Sequence, residues 1–464
     1  MMSDSPFSPG MSLLCCYAPR IRDVARLIFR CSVDLKVVAG MSQFKTSARC
    51  TVLMLSVAGL LIVTACSDAD GASTAGSSST ASRSGMLPGY QDQTTLEFSP
   101  LIISVLSPEV VPVKGSDGQY YVAYELSVFN AAPRAATMTT IETLAENEGG
   151  KVLSTADQEQ IAANTMVVAS TEVGTSDIPA GRTAIVVARA VYPTAEAIPA
   201  AFTHRIAATF APAAPDAPRL ASKYPDEVEQ IGGAVSTSSG SPLVIGSPVA
   251  GGNWFANNGL DSAALNAHSD VLIPVGGRVA AAERYAIDFL GIDPATMTSY
   301  NGDPTLNESY LAFDQPLLAV ADATVVRVVS GLPDVAPNTI TPVDVIDDAT
   351  GNQVVLDLGD GVYALYAHMK NGPAMVKAGD KVKKGQEIGR LGNSGNTSEA
   401  HLHVQLQRGP VLSAENVAWV IDSFTVTGVL GPNGDSVVAP PVAGPLTNQV
   451  PVMGTISEFA AVRR

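Results

Sequence analysis

The chain is poor in cysteine, aromatics and positive charge. All five cysteines (Cys15, Cys16, Cys31, Cys50, Cys66) fall within the first 66 residues. The remainder therefore has no disulfide framework and no thiol chemistry. Aromatic residues make up 6% and charged residues 16% of the 464 positions. Lys and Arg number 28 against 44 Asp and Glu. Seven of those bases and three of those acids precede Ser67, so the part beyond Cys66 carries a net charge of −20. A surface so acidic is a poor match for nucleic acid or an anionic bilayer. Histidine is scarce too, with five in all.

What is abundant is Ala, Val, Gly, Ser and Thr, within a 46% hydrophobic total. That balance favours β-rich, low-charge extracytoplasmic domains over helical bundles, and the length allows two or three of them.

The long apolar run is Thr51 to Ala65, preceded by Lys45 and Arg49. Fifteen residues is short for a membrane span and fits the core of a signal peptide. It ends in Val63-Thr64-Ala65-Cys66, which resembles a bacterial lipobox. The implied product is an exported, membrane-anchored lipoprotein with Cys66 lipidated. Met41 opens a conventional signal peptide over 41–66, so residues 1–40 read as a mis-assigned or disordered start. Residues 67–93, rich in Ser, Gly and Ala, read as a flexible tether.

Beyond it the expectation is all-β. Residues 94–214 resemble a small immunoglobulin-like β-sandwich. Val122, Tyr124, Leu126 and Val128 alternate with Ala123, Glu125 and Ser127 after an Asp117-Gly118 turn. Residues 155–164 suit a short helix. His204 stands apart from any catalytic constellation and reads as structural. Residues 215–240 read as a linker, 241–428 as the domain that carries the chemistry, and 429–464 as a loose tail.

Four residues of that domain carry ligand chemistry. His401 and His403 flank Leu402 in a strand pattern, so both side chains share one face, their Cα atoms about 7 Å apart. Asp288 interrupts an apolar strand, Arg284 to Phe289, where a carboxylate is unfavourable unless paired or metal-bound. His368 ends the run Val362 to His368. Such a donor set suits Zn²⁺.

The segments RYAIDF, GVYALYAHMKNG and VKAGDKVKKGQEIGRLGNSGNTSEAHLHVQL resemble the core of the M23 metallopeptidases, the lysostaphin/LytM-type peptidoglycan endopeptidases. Asp322-Ala323-Thr324-Val325-Val326 fits a hairpin of the same family. The resemblance covers roughly residues 240–428. It implies an antiparallel β domain, Asp288 and His403 as zinc ligands, and His368 and His401 as the catalytic pair. It also implies peptidoglycan or another peptide as substrate. The family's first ligand is a histidine four residues before the aspartate, and here that position is Arg284. An arginine does not deprotonate to bind zinc. Two readings are open: His268 supplies the missing ligand, or the site is degenerate and the domain binds cell wall or regulates another hydrolase.

Overall fold

The computed structural model describes residues 99–146, 150–168, 173–213, 223–340, 348–431, 434 and 436–460. The expectations for residues 1–93, including the signal peptide, the tether and Cys66, lie outside the described residues.

Two sheets form the first layered body. One runs Leu101–Val105, Tyr120–Asn130, Thr183–Tyr192, Thr165–Val167, with Val113–Lys114 added beside the second strand. The other runs Glu109–Val110, Glu227–Thr237, Ala201–Phe210, Ala136–Ala145, Val152–Asp157, with Asp177–Ile178 added. Their facing side chains share a core that includes Val122, Tyr124, Leu126 and Val128 against Met138, Ile141, Phe202 and Ile206. A six-residue helix, Gln158–Ala163, starts from a capping box at Asp157 and Gln160.

Residues 215–240 are not a linker throughout. Glu227–Thr237 is a strand paired antiparallel with Ala201–Phe210, completing the second sheet. Local composition masks this strand: the flanking Pro, Ala and Ser residues dominate, while Val228, Ile231 and Val235 are widely spaced.

The second body is built on an eleven-stranded antiparallel sheet. Across its functional part the order is Ala323–Val329, Asn352–Gly359, Val362–Met369, Leu402–Gln407, Ile287–Gly291, Gly251–Asn257. Next to the last comes Thr455–Phe459, and then Phe424–Leu430. The expected loose tail is thus corrected. Thr455–Phe459 is an interior strand, with Ile456 and Phe459 buried at 1% and 2% exposure.

Both bodies belong to one compact unit, and the junction follows from the period of one strand. In Tyr120–Asn130 the even positions fill the sandwich core, and Tyr121 and Ala123 on the other face join the core of the large sheet. Glu125, on that same face, meets Arg284. The Arg284 Nε donates to Glu125 Oε1 at 2.8 Å, one terminal nitrogen bonds Oε2, and the same nitrogen reaches Ser107 Oγ at 3.1 Å. Both side chains are almost fully buried. A desolvated pair of this kind is tolerable only when its geometry is good and its remaining hydrogens are used. Backbone bonds add to the join: Ser116 N–H to Val450 O at 2.8 Å and Val450 N–H to Lys114 O at 2.9 Å.

His204 is buried inside the sandwich at 1% exposure. Its Nδ1–H donates to Gly233 O at 2.9 Å, and Nε2 accepts from Tyr124 O–H at 2.8 Å. Both ring nitrogens are satisfied by the neutral form. Burial pushes its pKa down from 6.5 to about 4. The unfolded chain therefore binds a proton that the folded chain refuses. This contribution to stability is complete above pH 6.5 and is lost as the pH falls towards 4, by about 3 kcal/mol in all. Urea unfolding at pH 7, 6 and 5 should show it, and a His204→Gln variant should flatten that part of the profile.

Candidate metal centre

Strand pairing places the residues before side-chain chemistry acts. In the register, Asp288 lies opposite His403, and His403 lies opposite Ala367 on its other side. Three adjacent strands thus bring Asp288, His403 and His368 together although they are far apart in sequence. His268 comes from the loop between Asn257 and Leu272.

His268 Nε2 lies 3.1 Å from Asp288 Oδ1, and His403 Nδ1 lies 3.2 Å from the same oxygen. The two ring nitrogens are 3.1 Å apart. His401 Nε2 is 3.4 Å from Asp288 Oδ1. Four of the five histidines therefore gather here, since the His368 and His401 ring centres lie 4.7 Å apart. All of these side chains are buried or nearly so.

The opposite ring nitrogens fix the tautomers. His268 Nδ1–H donates to Asn258 O at 2.8 Å and faces Ala286 O at 3.3 Å. His403 Nε2–H donates to Gln405 Oε1 at 3.0 Å. In its neutral form each ring then turns a bare lone pair towards Asp288. The carboxylate's other oxygen accepts from Asn258 Nδ2 at 2.8 Å, whereas Oδ1 is buried without a hydrogen bond. Three electron-rich atoms facing one point repel one another unless a cation lies between them. A tetrahedral ion with bonds of about 2.0–2.1 Å has ligand–ligand edges of about 3.3 Å. The 3.1, 3.1 and 3.2 Å triangle fits that requirement. Outer hydrogen bonds of the kind made by Gln405 and Asn258 orient metal-binding histidines and carboxylates.

The electrostatics agree. Burial disfavours a charged His268, but the Asp288 carboxylate outweighs it and raises the imidazole to about 9. Burial likewise works against ionised Asp288, and the histidines, His268 foremost, hold it well below the usual carboxylate range. A proton therefore takes the central position when no metal cation does. His368 moves the other way: burial, reinforced by His401 and His403, keeps it neutral.

His368 and His401 stand beside the triangle. His368 Nδ1–H donates to Ser394 O at 2.9 Å, and His401 Nδ1–H to Glu399 O at 2.8 Å. Each leaves Nε2 free as a base. His368 occupies the left-handed region at φ 57°, rare for a non-glycine residue and recurrent at functional sites. The turn that holds it is packed backbone to backbone. A Cβ on Gly351 would lie 2.3 Å from Ser394 O, the acceptor of the His368 bond. The Asn393-Ser394-Gly395 turn thus acts on the site through His368.

Arg284 does not enter the triangle. It turns away to Glu125, whose charge outweighs the burial of the guanidinium and raises its pKa. His204 is likewise elsewhere, within the sandwich.

Asn258 and Gln405 were not singled out from the sequence. Gln405 was findable: it follows His401 and His403 at the same two-residue spacing. Asn258, in a loop 30 residues before its partner, left no such signal.

Gln405→Leu tests this arrangement without metal, because the buried His403 Nε2–H would lose its acceptor. The expected cost is about 1–3 kcal/mol in denaturant unfolding with chelator present.

Residues 311–414 match the family model for peptidase family M23. That span includes His368, His401 and His403 but not His268 or Asp288. Among curated proteins, the peptidoglycan DD-endopeptidase ShyA of Vibrio cholerae is 41% identical over 56 residues. The match spans 12% of this chain and 13% of that relative's length. Similar solved structures include the catalytic domain of the antimicrobial peptidase lysostaphin from Staphylococcus simulans. It is 20% identical, over 35% of this chain and 89% of that one, with a TM-score of 0.21. A putative peptidase M23 from Pseudomonas aeruginosa is 13% identical, over 62% and 92%, with a TM-score of 0.22.

Proposed function

We propose that this chain, which carries a domain of peptidase family M23, is a zinc-dependent endopeptidase that hydrolyses peptide bonds in peptidoglycan. One observation supports this reading above others: the buried, unbonded Asp288 Oδ1, faced by imidazole lone pairs at 3.1 and 3.2 Å. His268, Asp288 and His403 would hold the ion. Bound zinc supplies Lewis acidity and lowers the pKa of water towards about 7.

The remaining chemistry belongs to the chain. His368, neutral and with Nε2 free, accepts the proton of the attacking water and returns one to the departing amine. His401, in its doubly protonated form with Nδ1–H still held by Glu399 O, would donate from Nε2 to the oxyanion that develops at the attacked carbonyl. The backbone acceptors Ser394 O and Glu399 O keep both rings from turning. The degenerate alternative is disfavoured by Arg284, which pairs with Glu125 and leaves the ligand triangle to His268.

We also place the protein outside the cytoplasm, anchored by lipid on Cys66, with the acidic body held near the cell wall by the tether of residues 67–93. Membrane fractionation of parent and Cys66→Ser protein checks this. A variant that still partitions with the membrane removes the anchor.

Metal analysis of the purified full chain tests the main reading. About one zinc per chain is expected, with little left in His403→Ala or His268→Ala. No zinc in the parent at micromolar free metal would sink it. His368→Ala should retain its zinc and lose 10²–10⁴ in kcat on purified peptidoglycan, read as newly released amino groups. Full activity in that variant would remove His368 from the mechanism.

A further inference from the structure

Among the described residues the sandwich holds no catalytic constellation of its own, yet one of its faces packs against the sheet that carries Asp288 and His403. We infer that this sandwich is a positioning element of the metal site, with Asn164 and Glu125 holding the two segments that deliver His268 and Asp288. The inference rests on the ligand set proposed above.

His268 is the one ligand of the triangle outside the large sheet. No ladder of strand hydrogen bonds sets its position, so its loop must be held by other contacts. Some are internal: Asn266 Oδ1 accepts from the His268 and Ser269 backbone N–H groups at 3.1 and 2.8 Å. Others come from the sandwich. Asn164 Nδ2 donates to Ala263 O at 3.0 Å, and Leu265 N–H donates to Ala163 O at 3.1 Å. These anchors lie five and three residues before His268. Asn164 is itself fixed from within the sandwich. Its Oδ1 accepts from an Arg189 guanidinium N–H at 3.0 Å, and its carbonyl accepts from Val187 N–H at 2.9 Å.

The second clamp acts on the other ligand. Arg284 lies four residues before Asp288 and is held by Glu125 from the Tyr120–Asn130 strand. The space between the clamps is a cavity of about 10 Å³, about the room of one water molecule. Its walls combine Glu125 and Arg189 of the sandwich with His268, Glu283 and Arg284 of the site. At the family's first ligand position, this chain therefore has an anchor to its neighbouring domain. The ligand comes instead from a loop that the same domain holds.

Zinc affinity measured by chelator competition on the full chain tests this, with the absorption of the Co²⁺-substituted protein as a second readout. Asn164→Ala should weaken zinc binding ten- to a hundredfold, the range expected when the support of a ligand is removed. Its Co²⁺ bands should shift or weaken. Glu125→Gln should act in the same direction. Ile206→Ala, in the far sheet of the sandwich, lowers stability without touching either clamp and should keep the parent affinity. Affinities of both clamp variants within twofold of the parent, or an equal loss in Ile206→Ala, would overturn the inference. His268→Ala separates the two levels. If it binds zinc as tightly as the parent, the ligand set is wrong and the inference falls with it. If it alone loses zinc while the clamp variants do not, the ligand set stands and the positioning role fails.

Discussion

A buried carboxylate oxygen needs a cation or a proton donor beside it, and strand pairing and loop packing in this protein hold Asp288 Oδ1 among three imidazoles. Asp288 Oδ1 sits among ring nitrogens whose other sides are tied to Asn258 O and Gln405 Oε1. Turning either ring would let a donor satisfy the oxygen and spoil the triangle. The outer hydrogen bonds hold both rings in place, so the central position takes a cation, a proton included. The same logic covers the bases. His368 and His401 spend their Nδ1 protons on backbone carbonyls and keep Nε2 open.

Arg284 links this site to the rest of the molecule. An arginine four residues before the aspartate cannot ligate, and a buried guanidinium needs a carboxylate. Glu125 supplies it from another sheet, and so the two bodies are joined beside the reactive groups. Arg284 points to Glu125, and the His268 ring lies beside Asp288 and His403.

Much of this was legible in the residue pattern. The two-residue period marked Tyr120–Asn130 as a strand, and His401-Leu402-His403 put two imidazoles on one face. The likeness of residues 240–428 to M23 metallopeptidases pointed to the antiparallel β domain. Other features were hidden for definite reasons. Glu227–Thr237 lies inside an apparent linker because its neighbours are rich in Pro, Ala and Ser. Thr455–Phe459 resembles a loose tail because a five-residue strand within Pro- and Gly-rich sequence has too few positions to show a period. Both are held by pairing with strands distant in sequence, which local composition does not report. The period of Tyr120–Asn130 likewise marked one buried face and was silent on the second, since Ala123 and Glu125 suit water as readily as an interface.

The sequence by itself determined the chemistry on offer: few histidines, one aspartate in an apolar strand, no thiols beyond Cys66, and an arginine where a ligand is expected. Only the tertiary structure decided which of these meet. Strand register set Asp288 opposite His403, the sandwich held the loop of His268 against them, and Glu125 turned Arg284 aside. Ligation depends on distances of about 3 Å between atoms as much as 135 residues apart in the chain. Residue identity limits which atoms can bind, and the packing of sheets and loops sets how far apart they lie.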